Sequence, residues 1–343
     1  MARVYLDHAA TTPIRPEAAA AVAEGMRRWA NPSSPHAEGR AARAALEDAR
    51  ARIAMALGWD GYVILTSGAS EAIALALRGR RVAASAVEHD AVWRMAPEAD
   101  VLAADPLVRG VAGGAEVVAI QHANPETGVL QPLTDLAPDV RDVGALLLAD
   151  CAQTAGKLQL PDADLLVVSA HKLGGPPGIG ALLVGDLAML TPTGGQEFGY
   201  RPGTENLPGA LGFAAALEAP KGWLADAARQ RRMIDAAITA EGGQVVARDH
   251  SRLDTVASYR MPGVPAAAQL IRFDLQGIAV SAGSACASGS LKPSRTLKAI
   301  GLPDEAAAET IRVSLGWTTT DDDVTEFLAR WIEIARAARR RAA

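Results

Sequence analysis

A lysine that directly follows an apolar run and precedes a glycine- and proline-rich stretch is suited to imine chemistry. Lys172 stands in such a place, in SAHKLGGPPGIG (169–180). A lysine amine shifts its pKa readily when desolvated, as Schiff-base work requires, and small neighbours leave it room to swing between two imines. On composition alone, a strand-end lysine is most often simply solvated. Asp150 closes another apolar run, ALLLADCAQ (145–153). One connection and one strand separate it from Lys172, so both can face the crevice at the carboxyl edge of a sheet. Taken alone, Asp150 reads equally well as a helix cap. TSGASEA (66–72) lies between a strand-like and a helix-like stretch. Its Ser67, Gly68, Ala69 and Ser70 would cradle a phosphate on helix N-terminal amides. Many strand–helix turns look like this, and the pattern is neither a dinucleotide fingerprint nor a P-loop. Cys286 lies in SAGSACASGS (281–290), a loop of small residues with no apolar stripe, and reads as an accessible nucleophilic thiol. Cys151, inside an apolar run, reads as a core filler.

Positioning these groups requires a sheet. Apolar runs at 62–66, 81–85, 116–121, 145–150, 164–170 and 180–185 alternate with helical stretches, among them 16–28, 40–57 and 70–78. The runs are continuous rather than alternating, which predicts strands covered on both faces in a mostly parallel sheet. The fold class expected is α/β. After about residue 245 the rhythm changes: strands at 255–261, 277–282 and 311–316 surround a helix near 265–273, and a terminal helix spans 321–339. Its acidic start and basic end match the helix dipole. This reads as a second, smaller α+β domain.

The 343 residues suit about two domains. Aromatics are only 4%, so the core must be built from Ala, Leu, Val and Ile. A net charge of −5 argues against a nucleic-acid partner held by phosphate neutralisation. No apolar run is long enough to span a membrane, and nothing in MARVYLDHAATTP marks secretion. Two cysteines exclude a disulfide framework and a four-thiolate metal site within one chain, and no metal is expected. A reduced, cytoplasmic enzyme is the expectation.

Taken together, the motifs resemble the cysteine desulfurases, pyridoxal-phosphate enzymes of the class-V aminotransferase type. The resemblance runs nearly end to end, through YLDHAATTP (5–13), NPSSPHAEGR (31–40), TSGASEA (66–72), EHDAV (88–92), NPETGVLQP (124–132), DCAQTAGK (150–157), SAHKLGGPPGIG (169–180), RPGTEN (201–206), SAGSACASGS (281–290) and IRVSLG (311–316). It implies a type I pyridoxal-phosphate fold. Residues 15–245 would form a large domain on a mostly parallel seven-stranded sheet, and 1–14 with 246–343 a small domain carrying the Cys286 loop. It further implies that Lys172 joins pyridoxal 5'-phosphate and afterwards moves protons, that Asp150 pairs with the ring nitrogen, and that Gln153 reaches the ring hydroxyl. His89 would stack on the ring and shuttle a proton. Ala69, Ser70, Ser169 and His171 would hold the phosphate, with Thr204 reaching the phosphate of a partner subunit in a homodimer. Arg312, with Asn124, would bind the carboxylate of L-cysteine, and Cys286 would take the sulfur as a persulfide. Iron–sulfur cluster or thio-cofactor synthesis, through a sulfur-acceptor or scaffold protein, is the implied destination. The alternatives are a selenocysteine lyase, a cysteine-sulfinate desulfinase or a small-amino-acid aminotransferase on the same scaffold, and, less readily, a non-catalytic scaffold. Pro125 stands where the family commonly has a second asparagine, and the segment between His89 and Asn124 is shorter than is typical.

Overall fold

The computed structural model describes residues 3–104, 108, 114–283 and 294–342. The elements run β1 (Val4–Tyr5), α1 (Pro16–Arg27), α2 (Ala37–Leu57), β2 (Tyr62–Thr66), α3 (Ala69–Leu77), β3 (Val82–Ser85), α4 (Asp90–Met95) and β4 (Asp100–Leu102). Then come β5 (Val117–Gln121), α5 (Leu133–Asp142), β6 (Leu146–Asp150), β7 (Leu165–Ser169), β8 (Gly180–Val184), α6 (Leu207–Glu218) and α7 (Trp223–Ala240). The remainder is β9 (Gln244–Val245), β10 (Val256–Arg260), α8 (Ala266–Leu275), β11 (Ile278–Ala279), α9 (Arg295–Ala299), α10 (Asp304–Ala308), β12 (Thr310–Ser314) and α11 (Asp321–Ala342).

Seven strands form the main sheet in the order β2-β8-β7-β6-β5-β3-β4. All neighbours are parallel except those of β8, which runs against both β2 and β7. The continuous apolar runs have the expected cause. Leu147 and Ala149 of β6 face a core shared with α1, α2, α5 and α6, while Leu148 faces a second core shared with α3 and α4. Parallel order aligns the carboxyl ends, so that Gln121 of β5 stands opposite Asp150 of β6. Ser169 ends β7, and a short 3-10 turn, Ala170–Lys172, follows at once.

A separate core holds most of the large buried aromatics. Tyr259, Phe273, Phe327 and Trp331 pack there between the β12-β10-β9 sheet, α8 and α11. Val4 and Leu6 join it, since β1 pairs with β11. A small core needs large side chains to bury enough surface, which explains where a 4% aromatic content was spent. α7 lies before position 245, yet its Ala227, Ile234 and Ile238 belong to this second core. α11 starts with a reciprocal cap, in which Asp323 N–H donates to Thr320 Oγ1 and Thr320 N–H donates to Asp323 Oδ2.

One buried ion pair ties α2 to the main sheet. Glu197 Oε2 accepts from Arg50 Nη1 at 2.6 Å and from the Leu65 N–H at 2.8 Å, while its Oε1 accepts from Arg50 Nη2 at 3.1 Å. The Glu197 side chain is fully buried. Replacing it with alanine would remove the buried carboxylate and leave Arg50 with only the part-exposed Glu47 and the Val63 carbonyl, so Glu197→Ala should cost about 3 kcal/mol. Denaturant unfolding checks this: a midpoint within error of the parent would contradict it.

Candidate active site

A cavity of about 480 Å³ opens at the carboxyl edge of the main sheet. Its wall brings together Ala69 and Ser70 from α3, His89, Asp150 and Gln153, Ser169, His171 and Lys172, and Arg312 from β12. Strand ends explain much of this: Asp150 and Ser169 are the last residues of β6 and β7, and Lys172 follows three residues on.

Lys172 is half-buried, and its loop is more firmly held than a glycine-rich sequence suggests. Thr12 N–H donates to the His171 carbonyl at 2.8 Å, and Thr12 Oγ1 to the Lys172 carbonyl at 3.3 Å. Arg15 N–H donates to the Gly174 carbonyl at 2.8 Å, and Thr11 Oγ1 lies 3.1 Å from His171 Nδ1. Gly174 has φ +89°, and a Cβ there would strike the Arg15 side chain. The swing expected at this position therefore belongs to the side chain, on an anchored backbone.

Asp150 Oδ1 accepts from the Ala152 N–H at 2.9 Å, which leaves Oδ2 for a ligand in the cavity. Gln153 Nε2 donates to the Ala9 carbonyl at 3.0 Å, while its Oε1 is buried with no hydrogen-bond partner among the described residues. His89 caps α4, its Nδ1 accepting from Ala91 N–H at 3.1 Å, which assigns the ring proton to Nε2. Burial, and then the nearby Lys172 charge, push His89 below its ordinary pKa, so the ring is neutral at pH 7. Burial likewise lowers His171, with Lys172 adding to it. Lys157, beside them, is brought down to about 7 by burial, with the Lys172 charge again adding.

Two expected residues lie elsewhere, and a third is not among the described residues. The structure does not bring Asn124 to the cavity. Its Oδ1 accepts from Glu126 N–H, Thr127 N–H and Thr127 Oγ1, and its Nδ2 lies within reach of Thr296 Oγ1 and the Val87 carbonyl. Asparagine here builds a turn from its own side chain, so its amide is spent on the backbone. Pro125 and Glu126 line the cavity in its stead. Thr204 is exposed and outside the cavity of its own chain. Cys286 lies outside the described residues.

Sequence reasoning overlooked several cavity residues. Glu88, only 4% exposed, accepts Gln121 N–H on Oε1 at 2.8 Å, and its Oε2 is buried. Burial pushes this carboxyl well above the usual range, and the Asp150 charge adds to the effect. Gln121 Nε2 also donates to the Val87 carbonyl at 2.7 Å, so the turn bearing His89 is pinned to the end of β5. Arg295 lines the wall and stacks over Trp93, 4.6 Å from its ring centre. The EHDAV motif contained Glu88, but nothing local announced its burial.

A family model, Aminotransferase class-V, matches residues 4–327. The chain belongs to this family. Members of the family are pyridoxal-phosphate enzymes. Among similar proteins, the cysteine desulfurase IscS of Dictyoglomus turgidum is 33% identical, covering 97% of this chain and 95% of its own. An IscS-like cysteine desulfurase of Mycobacterium tuberculosis is 35% identical, covering 93% of each chain. The solved NifS-like protein of Rickettsia africae superposes with a TM-score of 0.89 at 28% identity, over 97% of this chain and 99% of that one. The main sheet, mostly parallel and seven-stranded, is that of the type I pyridoxal-phosphate fold.

The cavity fits the family's cofactor. Gln153 Oε1 is an unspent acceptor for the ring hydroxyl, and Asp150 offers a carboxylate to the ring nitrogen. The first-turn amides of α3, with Ser70, Ser169 and His171 on the wall, suit a phosphate. Gly68, which caps that helix at φ +148°, and Gly180 approach so closely that a Cβ on Gly180 would lie 2.8 Å from Gly68 Cα. The cradle therefore tolerates no side chain at Gly180.

Two histidines near the site, His8 buried and His122 half-buried, make stability depend on pH. His8 and His122 are each lowered to about 4, chiefly by burial. The folded values lie below the unfolded value near 6.5, so the unfolded chain binds more protons between those limits. The histidine contribution is complete above about pH 6.5 and falls as pH drops toward 4, by about 3 kcal/mol from His8 and less from His122, whose ring is partly exposed. The fall between pH 7 and 5 should be smaller in His8→Gln than in the parent protein, and an equal fall in both would contradict this.

Proposed function

We propose that this protein is a cysteine desulfurase, converting L-cysteine to L-alanine and retaining the sulfur as a persulfide on Cys286. One observation carries the reading: Lys172, Asp150, His89 and the unspent Gln153 Oε1 share one cavity with Arg312. Lys172 is assigned as the residue that holds pyridoxal phosphate covalently, with Asp150, Gln153, Ala69, Ser70, Ser169 and His171 as its other ligands. Bound there, the cofactor supplies an electron sink that acidifies the α-carbon and weakens the bond to sulfur.

The chain's own groups do the rest. Arg312 holds the substrate carboxylate with its planar fork. Lys172 Nζ removes the α-proton and returns one. His89, neutral and carrying its proton on Nε2, lines the cavity and would relay protons to the bound cofactor and substrate. The Cys286 thiolate attacks the substrate sulfur. A sulfur–sulfur bond forms, the carbon–sulfur bond breaks, and the carbon keeps the electron pair and gains a proton, so alanine leaves and a persulfide stays.

Thr204, exposed and away from its own cavity, together with largely exposed Trp29 and Met26, supports a homodimer in which Thr204 serves the partner's phosphate. A sulfur-acceptor or scaffold protein and a cytoplasmic setting complete the reading. No helix among the described residues is long and apolar enough to cross a membrane. We draw the passage between the two domains before α7, because α7 packs on the second core. Purified with pyridoxal phosphate, the protein should be yellow and should release equal amounts of alanine and sulfide from L-cysteine under reductant. A protein that stays colourless after incubation with the cofactor would overturn the proposal.

A further inference from the structure

Arg312 is gripped from two sides. Its side chain is 5% exposed, and Nη2 donates to Asp7 Oδ1 at 2.8 Å. Nη1 donates to the Pro125 carbonyl at 3.1 Å. Nε is buried and has no acceptor among the described residues. The two anchors come from different parts of the chain. Asp7 follows β1 and is bridged to Ser314 at the end of β12, whereas Pro125 stands in the turn that Asn124 builds. Asp7 does not line the cavity, so it acts on a ligand only through Arg312. A guanidinium held at both terminal nitrogens has one orientation, and each terminal nitrogen keeps a second hydrogen for a ligand. Holding a recognition group in place before the ligand binds saves ordering entropy on binding.

We propose that Asp7 is a positioning residue for carboxylate recognition: by holding Nη2 it fixes the guanidinium plane of Arg312 at the cavity wall and sets the site's affinity for the α-carboxylate of an amino acid. The proposal rests on the activity assigned above only in taking an amino acid as the ligand.

The test uses the cofactor-loaded protein and two ligands. Asp7→Ala should raise KM for L-cysteine about tenfold, and should weaken L-alanine binding, measured by calorimetry, by a similar factor. The effect should fall on KM and Kd rather than on kcat. Asp7→Asn keeps an acceptor for Nη2 but loses its charge, so it should recover most of the affinity and sit about threefold below the parent. Unchanged binding, tighter binding (which would make Asp7 a competitor for the guanidinium) or a loss confined to kcat would each overturn the proposal. Should Asp7→Ala fail to fold, the Asp7→Asn constants decide by the same criteria. A protein that binds L-alanine but does not turn over L-cysteine would refute the assigned activity while leaving the Asp7 comparison intact.

Discussion

Replacing Lys172 with alanine should lower alanine production from L-cysteine by at least about 10³-fold, because in the proposed reaction one amine both holds the cofactor and moves the α-proton. The loss should come without unfolding. The backbone around position 172 is fixed by the Thr12 and Arg15 hydrogen bonds, which a side-chain truncation leaves in place. Lys172→Arg should not rescue, since a guanidinium stays protonated and cannot act as a base at neutral pH. Cofactor should still bind to either variant without a covalent bond, since Asp150, Gln153 and the α3 amides remain. Residual turnover above about 1% in Lys172→Ala would show that another group supplies the base.

Cys286→Ala should lower desulfuration of L-cysteine by at least about 10²-fold, because no other thiol can take the sulfur. Cys151 is fully buried, and burial, with the Asp150 charge adding, pushes its thiol far above the ordinary value. It offers neither thiolate nor access. Selenocysteine and cysteine sulfinate, whose leaving groups depart without an acceptor thiol, should still be cleaved by the variant. Cysteine turnover unchanged in Cys286→Ala would favour a selenocysteine lyase, a sulfinate desulfinase or an aminotransferase in place of the desulfurase.

What the sequence made legible follows from local physics. Strands buried on both faces write continuous apolar runs, and the residues that end them, Asp150 and Ser169, are visible as the first polar positions. Lys172 is visible for the same reason. β4 and β9, three and two residues long, leave too few positions for any period to appear. The reversed direction of β8 leaves no mark, because a strand buried on both faces reads alike in either direction. The allegiance of α7 depends on which core its apolar stripe meets, and the stripe alone does not name the core. Contacts across the chain were the least legible. Asp7 reaches Arg312 over 305 positions and Thr12 reaches Lys172 over 160, so no spacing rule connects them. Asn124 stays off the cavity wall for the opposite reason: its side chain satisfies backbone donors two and three residues on, a local bond that competes with any ligand.

The most direct measurement is chemical. The protein purified with pyridoxal phosphate is reduced with borohydride, digested, and its peptides are weighed by mass spectrometry. A pyridoxyl group is expected on the peptide that contains Lys172. Finding it instead on Lys157, the neighbouring amine lowered to about 7, or on no peptide at all, would contradict the site described above.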